Sequence, residues 1–215
     1  MKLVLAIAAA AHSVQAFDFF LLSQTWQPAF CSSGNYPGCD SPTAFMQSNL
    51  TIHGLWPENQ DGSYPSFCDP NNVLSQDTID AVGMDAINKY WPDVKTNYGT
   101  DFISNEWAKH GTCSGLEQVD YINAAIATEK TLGTPSFISN NAGSSVLATA
   151  LRAAYGSNTV ALICKKNVLT EVRSCWSVDG SSGAPAHQIP CPNALLNQET
   201  CSRKSGAKIS IPAFN

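Results

Sequence analysis

Glu106, Lys109 and His110 stand at i, i+3 and i+4 in the stretch NEWAKHG, residues 105–111. On a helix that spacing turns all three side chains to one face. A second imidazole, His53, lies upstream in IHGLWP. Of the other two histidines, His12 belongs to an N-terminal apolar run, and His187 sits in the turn-rich SSGAPAHQIP, where a surface position is expected. His53 and His110 are each followed by glycine and each lie beside a tryptophan-bearing segment. Two imidazoles suit a reaction that removes one proton and delivers another, because a group titrating at about pH 6.5 can do either. Glu106 and Lys109 add an acid and a fixed positive charge, which is what a phosphorane-like transition state requires.

A plainer description fits the same residues: His53 as a hydrogen-bonded strand histidine, and 106–110 as a solvated helix face with an incidental ion pair. Spacing on a helix does not separate the two. The chain has no Gly-x-Ser-x-Gly elbow and no glycine-rich phosphate loop.

The wording of the two segments does discriminate. TIHGLWPENQDGSYP (51–65) and FISNEWAKHGTC (102–113) resemble the two active-site segments of the ribonuclease T2 family, usually written I-H-G-L-W-P and H-E-W-x-K-H-G-T-C. The resemblance extends across the rest of the chain, from FDFFLLSQTWQPAFC (17–31) through the cysteine spacing. It implies a base-non-specific endoribonuclease that cleaves RNA through a 2′,3′-cyclic phosphate, with no metal or other cofactor. His53 would be the general acid towards the leaving 5′-oxygen and His110 the base that takes the 2′-OH proton. Glu106 and Lys109 would stabilise the pentacoordinate phosphate. DNA would be excluded as substrate, because it lacks the 2′-OH.

The resemblance also places Trp56, Glu58 and Tyr64 around the base 5′ to the cleaved bond and Phe102 at a second base site. Flat aromatic faces stack on any base, which fits low base specificity. Core packing is the ordinary alternative for each aromatic, and Trp107, pointing away from the Glu106/His110 face, is assigned to the core. Two positions depart from the usual pattern: Glu58 stands where aspartate is common, and Asn105 where a phosphate-binding histidine is usual. Asparagine donates a hydrogen bond but carries no charge, so weaker phosphate binding is expected.

The elements that must position these residues read as follows. Residues 17–26 and 49–56 are expected strands, and 75–91 a helix capped by Ser75. Thr100 is a candidate cap for a helix to about Lys109, with Asp101 in its first turn. Residues 117–131 and 144–155 have helical periodicity. NTVALICKK and NVLTEVRSCWSV read as adjacent strands turning at Lys166–Asn167, and AKISIPAF as a final strand. Mixed order with hairpin-length separations predicts an α+β fold, one domain over 17–215, with a mainly antiparallel sheet flanked by helices.

The 215 residues carry a formal charge of −5. That balance disfavours a non-specific nucleic-acid binder, which carries a basic excess. MKLVLAIAAAAHSVQA (1–16) has the lysine, apolar run and small-x-small ending of a secretory signal peptide. Its removal would take out Lys2 and no acid, leaving −6. No stretch reaches the ~20 apolar residues of a membrane span, so no membrane association is expected. The localisation expected is extracellular, or vacuolar or lysosomal by the same route, and the protein a monomer. Eight cysteines behind such a leader imply disulfides, in roughly a hundred possible pairings. The family resemblance implies Cys31–Cys39, Cys68–Cys113, Cys164–Cys201 and Cys175–Cys191. No CxxC pair is present, which disfavours zinc. Asn49 heads the sequon Asn49-Leu50-Thr51, an expected glycosylation site. An acidic optimum is expected, because one histidine must be protonated and a negative chain should raise histidine pKa values. The competing reading is a non-catalytic recognition or storage protein on the same scaffold.

Overall fold

Alternate residues of FFLLSQT face opposite sides of a sheet, and both sides are covered. Phe20 and Leu22 enter one core cluster, Phe19 and Leu21 another. This segment is therefore a central strand, buried on both faces. The computed structural model describes residues 17–156 and 159–214; the expected signal peptide lies outside them. The elements in chain order are β1 (Phe19–Thr25), α1 (Gln27–Cys31), β2 (Thr51–Glu58), α2 (Gln76–Val82), α3 (Met84–Tyr90), α4 (Asp101–Lys109), α5 (Gln118–Leu132), α6 (Ser136–Asn140), β3 (Ser144–Leu147), α7 (Ala148–Ala153), β4 (Val160–Lys165), β5 (Val168–Val178), β6 (Pro185–Ile189), α8 (Asn193–Leu196) and β7 (Lys208–Ile211).

The sheet runs β2-β1-β5-β7-β3, with β4 and β6 also paired to β5. Every pairing is antiparallel except β5 with β7, so the fold is α+β with a mainly antiparallel sheet. On one face Phe20, Leu22, Ile52, Leu55 and Trp176 pack against the helical layer, through Trp91 of the segment after α3, Ile103 and Trp107 of α4, and Tyr121 and Ile122 of α5. Each fully buried side chain of this size contributes roughly 1.5–3 kcal/mol.

Three local outcomes differ from the sequence expectations. The helix expected over 75–91 is two helices, broken at Gly83, whose φ of +89° is outside the helical region. The helix expected over 144–155 begins only at Ala148, because residues 144–147 pair with β7 and extend the sheet. Thr100 makes no side-chain cap on α4. Buried Asp93 replaces it: its Oδ2 accepts the Phe102 N–H (3.0 Å), while Oδ1 accepts from Lys95 and Thr96. Ser75 does cap α2, its Oγ accepting the Thr78 N–H. The β4–β5 hairpin turns at Lys166–Asn167, both at positive φ, as a two-residue hairpin turn requires. His187 is exposed on β6.

The eight cysteines pair as Cys31–Cys39, Cys68–Cys113, Cys164–Cys201 and Cys175–Cys191. Among the described residues no helix is long and apolar enough to cross a membrane, and no cluster of His, Cys, Asp or Glu is arranged to hold a metal ion.

Candidate active site

β2 supplies half of the site, and a bulge sets its phase. The β1–β2 register pairs Ser23 with Gly54 and then Gln24 with Ile52, so His53 is an extra residue on β2. Strict alternation would put His53 and Trp56 on opposite faces. The inserted residue re-phases the strand, as bulges do beside active sites. Ile52 and Leu55 then point into the helix-facing core, while His53, Trp56 and Glu58 line one cleft. Gly54 keeps that cleft closed at its floor. A Cβ there would stand 2.1 Å from Trp56 Nε1 and 2.2 Å from Glu106 Oε2.

β2 is an edge strand, so half of its carbonyls lack a strand partner. The buried Trp91 indole N–H donates to the His53 carbonyl (3.0 Å) and the Tyr121 hydroxyl to the Leu55 carbonyl (2.6 Å). These two bonds tie β2 to the helical layer. α4 is anchored in the same layer by Ile103 and Trp107. Trp107 is buried, its indole N–H donating to the Asn72 carbonyl. α4 presents Glu106, Lys109 and, at its C-terminal cap, His110 to the cleft. The Trp56 indole N–H joins the halves by donating to Glu106 Oε2 (2.7 Å). The loop carrying Tyr64 returns to the C-terminal end of α4 and the turn that follows it through three links: the Phe67 N–H donates to the Lys109 carbonyl, the Cys68 N–H to Thr112 Oγ1, and Cys68 is bonded to Cys113. A native bridge of this kind is worth about 2–5 kcal/mol.

The two imidazoles differ sharply in surroundings. His53 Nδ1 lies 2.9 Å from Glu171 Oε1, and Nε2 lies 3.8 Å from Glu106 Oε1. Burial pushes the Glu171 carboxyl up, but its bond to His53, the His53 charge and the Arg173 guanidinium outweigh this and leave it at about 2. As a carboxylate it only accepts, so the proton between the pair sits on Nδ1. His110 is buried, stacked on Trp56 with ring centroids 5.0 Å apart, and its Nδ1 has no protein partner. Burial, the Lys109 ammonium and His53 hold it down at about 3. The expectation that negative net charge raises histidine pKa values therefore fails at His110, where desolvation and neighbouring cations dominate.

The carboxyls in the cleft are pushed the other way. Glu58 is buried with Oε2 unpartnered; burial raises it to about 7, against the pull of Arg173. Burial also raises Glu106, opposed by His53, by its Trp56 hydrogen bond and by Lys109.

Seven of the residues singled out from sequence meet in one hollow of about 300 Å³: His53, Trp56, Glu58, Tyr64, Glu106, Lys109 and His110. Lys109 Nζ sits 5.7 Å from the centre of the Tyr64 ring, which is half exposed. A second hollow of about 380 Å³ opens on the other side of His53 and holds Phe102, whose ring is 5.5 Å from the imidazole. Asn105 is exposed and lines neither hollow. Glu171 and Arg173 were not singled out from sequence. Arg173 lines the first hollow with its guanidinium 5.3 Å from the Trp56 ring centre. The available signal was the i, i+2 spacing of LTEVR, which puts both charges on one face of a strand.

A profile of the Ribonuclease T2 family matches residues 17–184. Extracellular ribonuclease LE of Solanum lycopersicum is 38% identical over 108 residues, covering 48% of this chain and 45% of that protein. Ribonuclease DdI of Dictyostelium discoideum is 42% identical over 118 residues, covering 52% and 47%. The chain thus spans about half the length of these curated relatives. A crystal structure of RNase NT in complex with 5′-AMP superposes with a TM-score of 0.70 at 27% identity, covering 93% of this chain and 100% of that one. The chain carries a two-histidine cleft on a disulfide-bonded α+β scaffold. The chain belongs to the ribonuclease T2 family.

Proposed function

We propose that this chain is a secreted, monomeric endoribonuclease that cleaves single-stranded RNA with little base preference, by transesterification to a 2′,3′-cyclic phosphate. The observation that carries the proposal is the contrast between the two imidazoles. His110, buried beside Lys109, stays neutral in acidic solution and is fitted to accept a proton. His53, bonded through Nδ1 to a carboxylate, is fitted to hold and deliver one at Nε2. In the proposed step His110 takes the 2′-OH proton and the 2′-oxygen forms a bond to phosphorus. The bond to the 5′-oxygen breaks as His53 protonates that oxygen. Slower addition of water opens the cyclic ester.

Lys109 supplies positive charge to the phosphoryl oxygens. Glu106, with its pKa raised by burial, is increasingly neutral in acid and can then donate a hydrogen bond to a phosphoryl oxygen. Trp56 and Tyr64 form aromatic walls for the base on the 5′ side, with Glu58 at the edge, and Phe102 one for the base beyond the cleaved bond. The low base preference follows from stacking. DNA is not a substrate, for want of the 2′-OH. Asn105, exposed beside Glu106, is assigned a weak phosphate contact. Secretion through residues 1–16, to the exterior or to a vacuolar or lysosomal lumen, belongs to the same proposal. So does a glycan on Asn49, which is half-buried with its amide donating to Phe45 and Ser48. Incubation of the protein with RNA homopolymers, with products resolved for 2′,3′-cyclic ends, tests it. Cyclic ends from several homopolymers are expected, and linear products alone would overturn the mechanism.

A further inference from the structure

We infer that Glu171 is a positioning residue for His53: its carboxylate accepts the Nδ1 proton and turns Nε2 into the cleft as the atom that delivers the catalytic proton. The inference rests on the reading of His53 as the general acid. It stands on four contacts. Glu171 Oε1 is 2.9 Å from His53 Nδ1. The other oxygen, Oε2, is held by Arg173 through Nη2 (2.9 Å) and Nε (3.2 Å), and by the Ser23 hydroxyl (3.3 Å). Glu171 is thus fixed at one end by three donors and offers its free end to the imidazole.

The sheet explains the placing. Glu171 lies on β5 and His53 on β2, with β1 between them. Side chains two strands apart meet only if the residue between is small. On this face of β1 the intervening residues are Thr25, paired with Glu171, and buried Ser23, paired with Gly54 and Arg173, whose hydroxyl donates to Glu171 Oε2. The bulge at His53 completes the geometry by turning its ring towards β5.

The charges around His53 make this contact consequential. From α4 it faces Glu106, with Lys109 and His110 beyond. From β5 it faces Glu171, backed by Arg173. Lys95 and Lys165 line the hollow on its other side. The Glu171 carboxylate is the one of these groups in hydrogen-bonding contact with His53, at 2.9 Å against 3.8 Å for Glu106, and its removal withdraws the nearest charge that opposes loss of the imidazole proton. The orientation matters equally, since a partner on one ring nitrogen fixes the tautomer and the direction of the other.

Three measurements test this. In the unmodified protein, ¹⁵N NMR of the neutral His53 ring should show hydrogen on Nδ1; hydrogen on Nε2 would overturn the inference without any variant. In Glu171→Gln, kcat for RNA cleavage should fall about tenfold to a hundredfold with KM little changed. The alkaline limb of the pH profile should move to lower pH. Glu171→Asp should recover part of both. An alkaline limb that stays in place, or an equal loss in Glu171→Gln and Glu171→Asp, would contradict the inference. The tautomer needs no substrate, so it separates failure of this inference from failure of the ribonuclease reading, which absent cleavage by the unmodified protein would show.

Discussion

His53 and His110 face one cleft, the first bonded through Nδ1 to the Glu171 carboxylate at 2.9 Å, the second stacked on Trp56 with no partner for Nδ1. The difference predicts a pH profile. A base held at about 3 stays neutral through mildly acidic solution. The acid limb of kcat/KM should therefore lie near pH 3, with activity retained at pH 4–5. An acid limb centred near pH 6.5 would show that His110 is not the free-enzyme base.

Gly54→Ala tests the closed floor of the cleft. The new methyl group would collide with both ends of the Trp56–Glu106 hydrogen bond. Because neither partner can retreat without leaving the other, a stability loss of about 1–3 kcal/mol is expected. Activity should fall on the order of a hundredfold, as for a misplacement of about 1 Å. Thermal unfolding and steady-state kinetics measure the two. Unchanged kcat/KM would remove Glu106 from the functional geometry.

Asn105→His restores the charge missing from the α4 segment. Residue 105 is exposed, so the gain is screened: KM should drop two- to fivefold, roughly 0.5–1 kcal/mol, with kcat little changed. The benefit should fade above about pH 6.5 as the new imidazole loses its proton. An unchanged KM at pH 5 would deny residue 105 a phosphate contact.

Glu129 predicts how stability depends on pH away from the site. It is buried on α5, accepts from Gln24 Nε2 (2.8 Å), and leaves Oε1 unpartnered. Burial raises its carboxyl from 4.5 to about 8, against the Gln24 bond. The folded-state value lies above the unfolded one, so its contribution is full below pH 4.5 and is lost as pH rises towards 8. Glu129→Gln should flatten that decline, with its largest relative gain, on the order of a few kcal/mol, near pH 8. Parallel Tm-against-pH curves for the two proteins would contradict this.

The sequence carried the α4 half of the site more openly than the β2 half. Glu106, Lys109 and His110 follow helical spacing, so one periodicity gathers them. His53 and Trp56 are an odd number of residues apart, which on a regular strand separates them; only the bulge, invisible to alternation, puts them together. Glu171 reaches His53 across β1, a relationship between strands 118 residues apart that no local pattern encodes. The helix expected over 144–155 shows the same limit, since at 144–147 pairing with β7 overrode the local propensity.

The most direct test compares the unmodified protein with His53→Ala and His110→Ala on RNA across pH, following 2′,3′-cyclic phosphate ends. Each substitution should lower kcat by about 10²–10⁴-fold, with the fold intact by thermal unfolding. Undiminished cyclic-phosphate release in either variant would contradict the two-histidine mechanism.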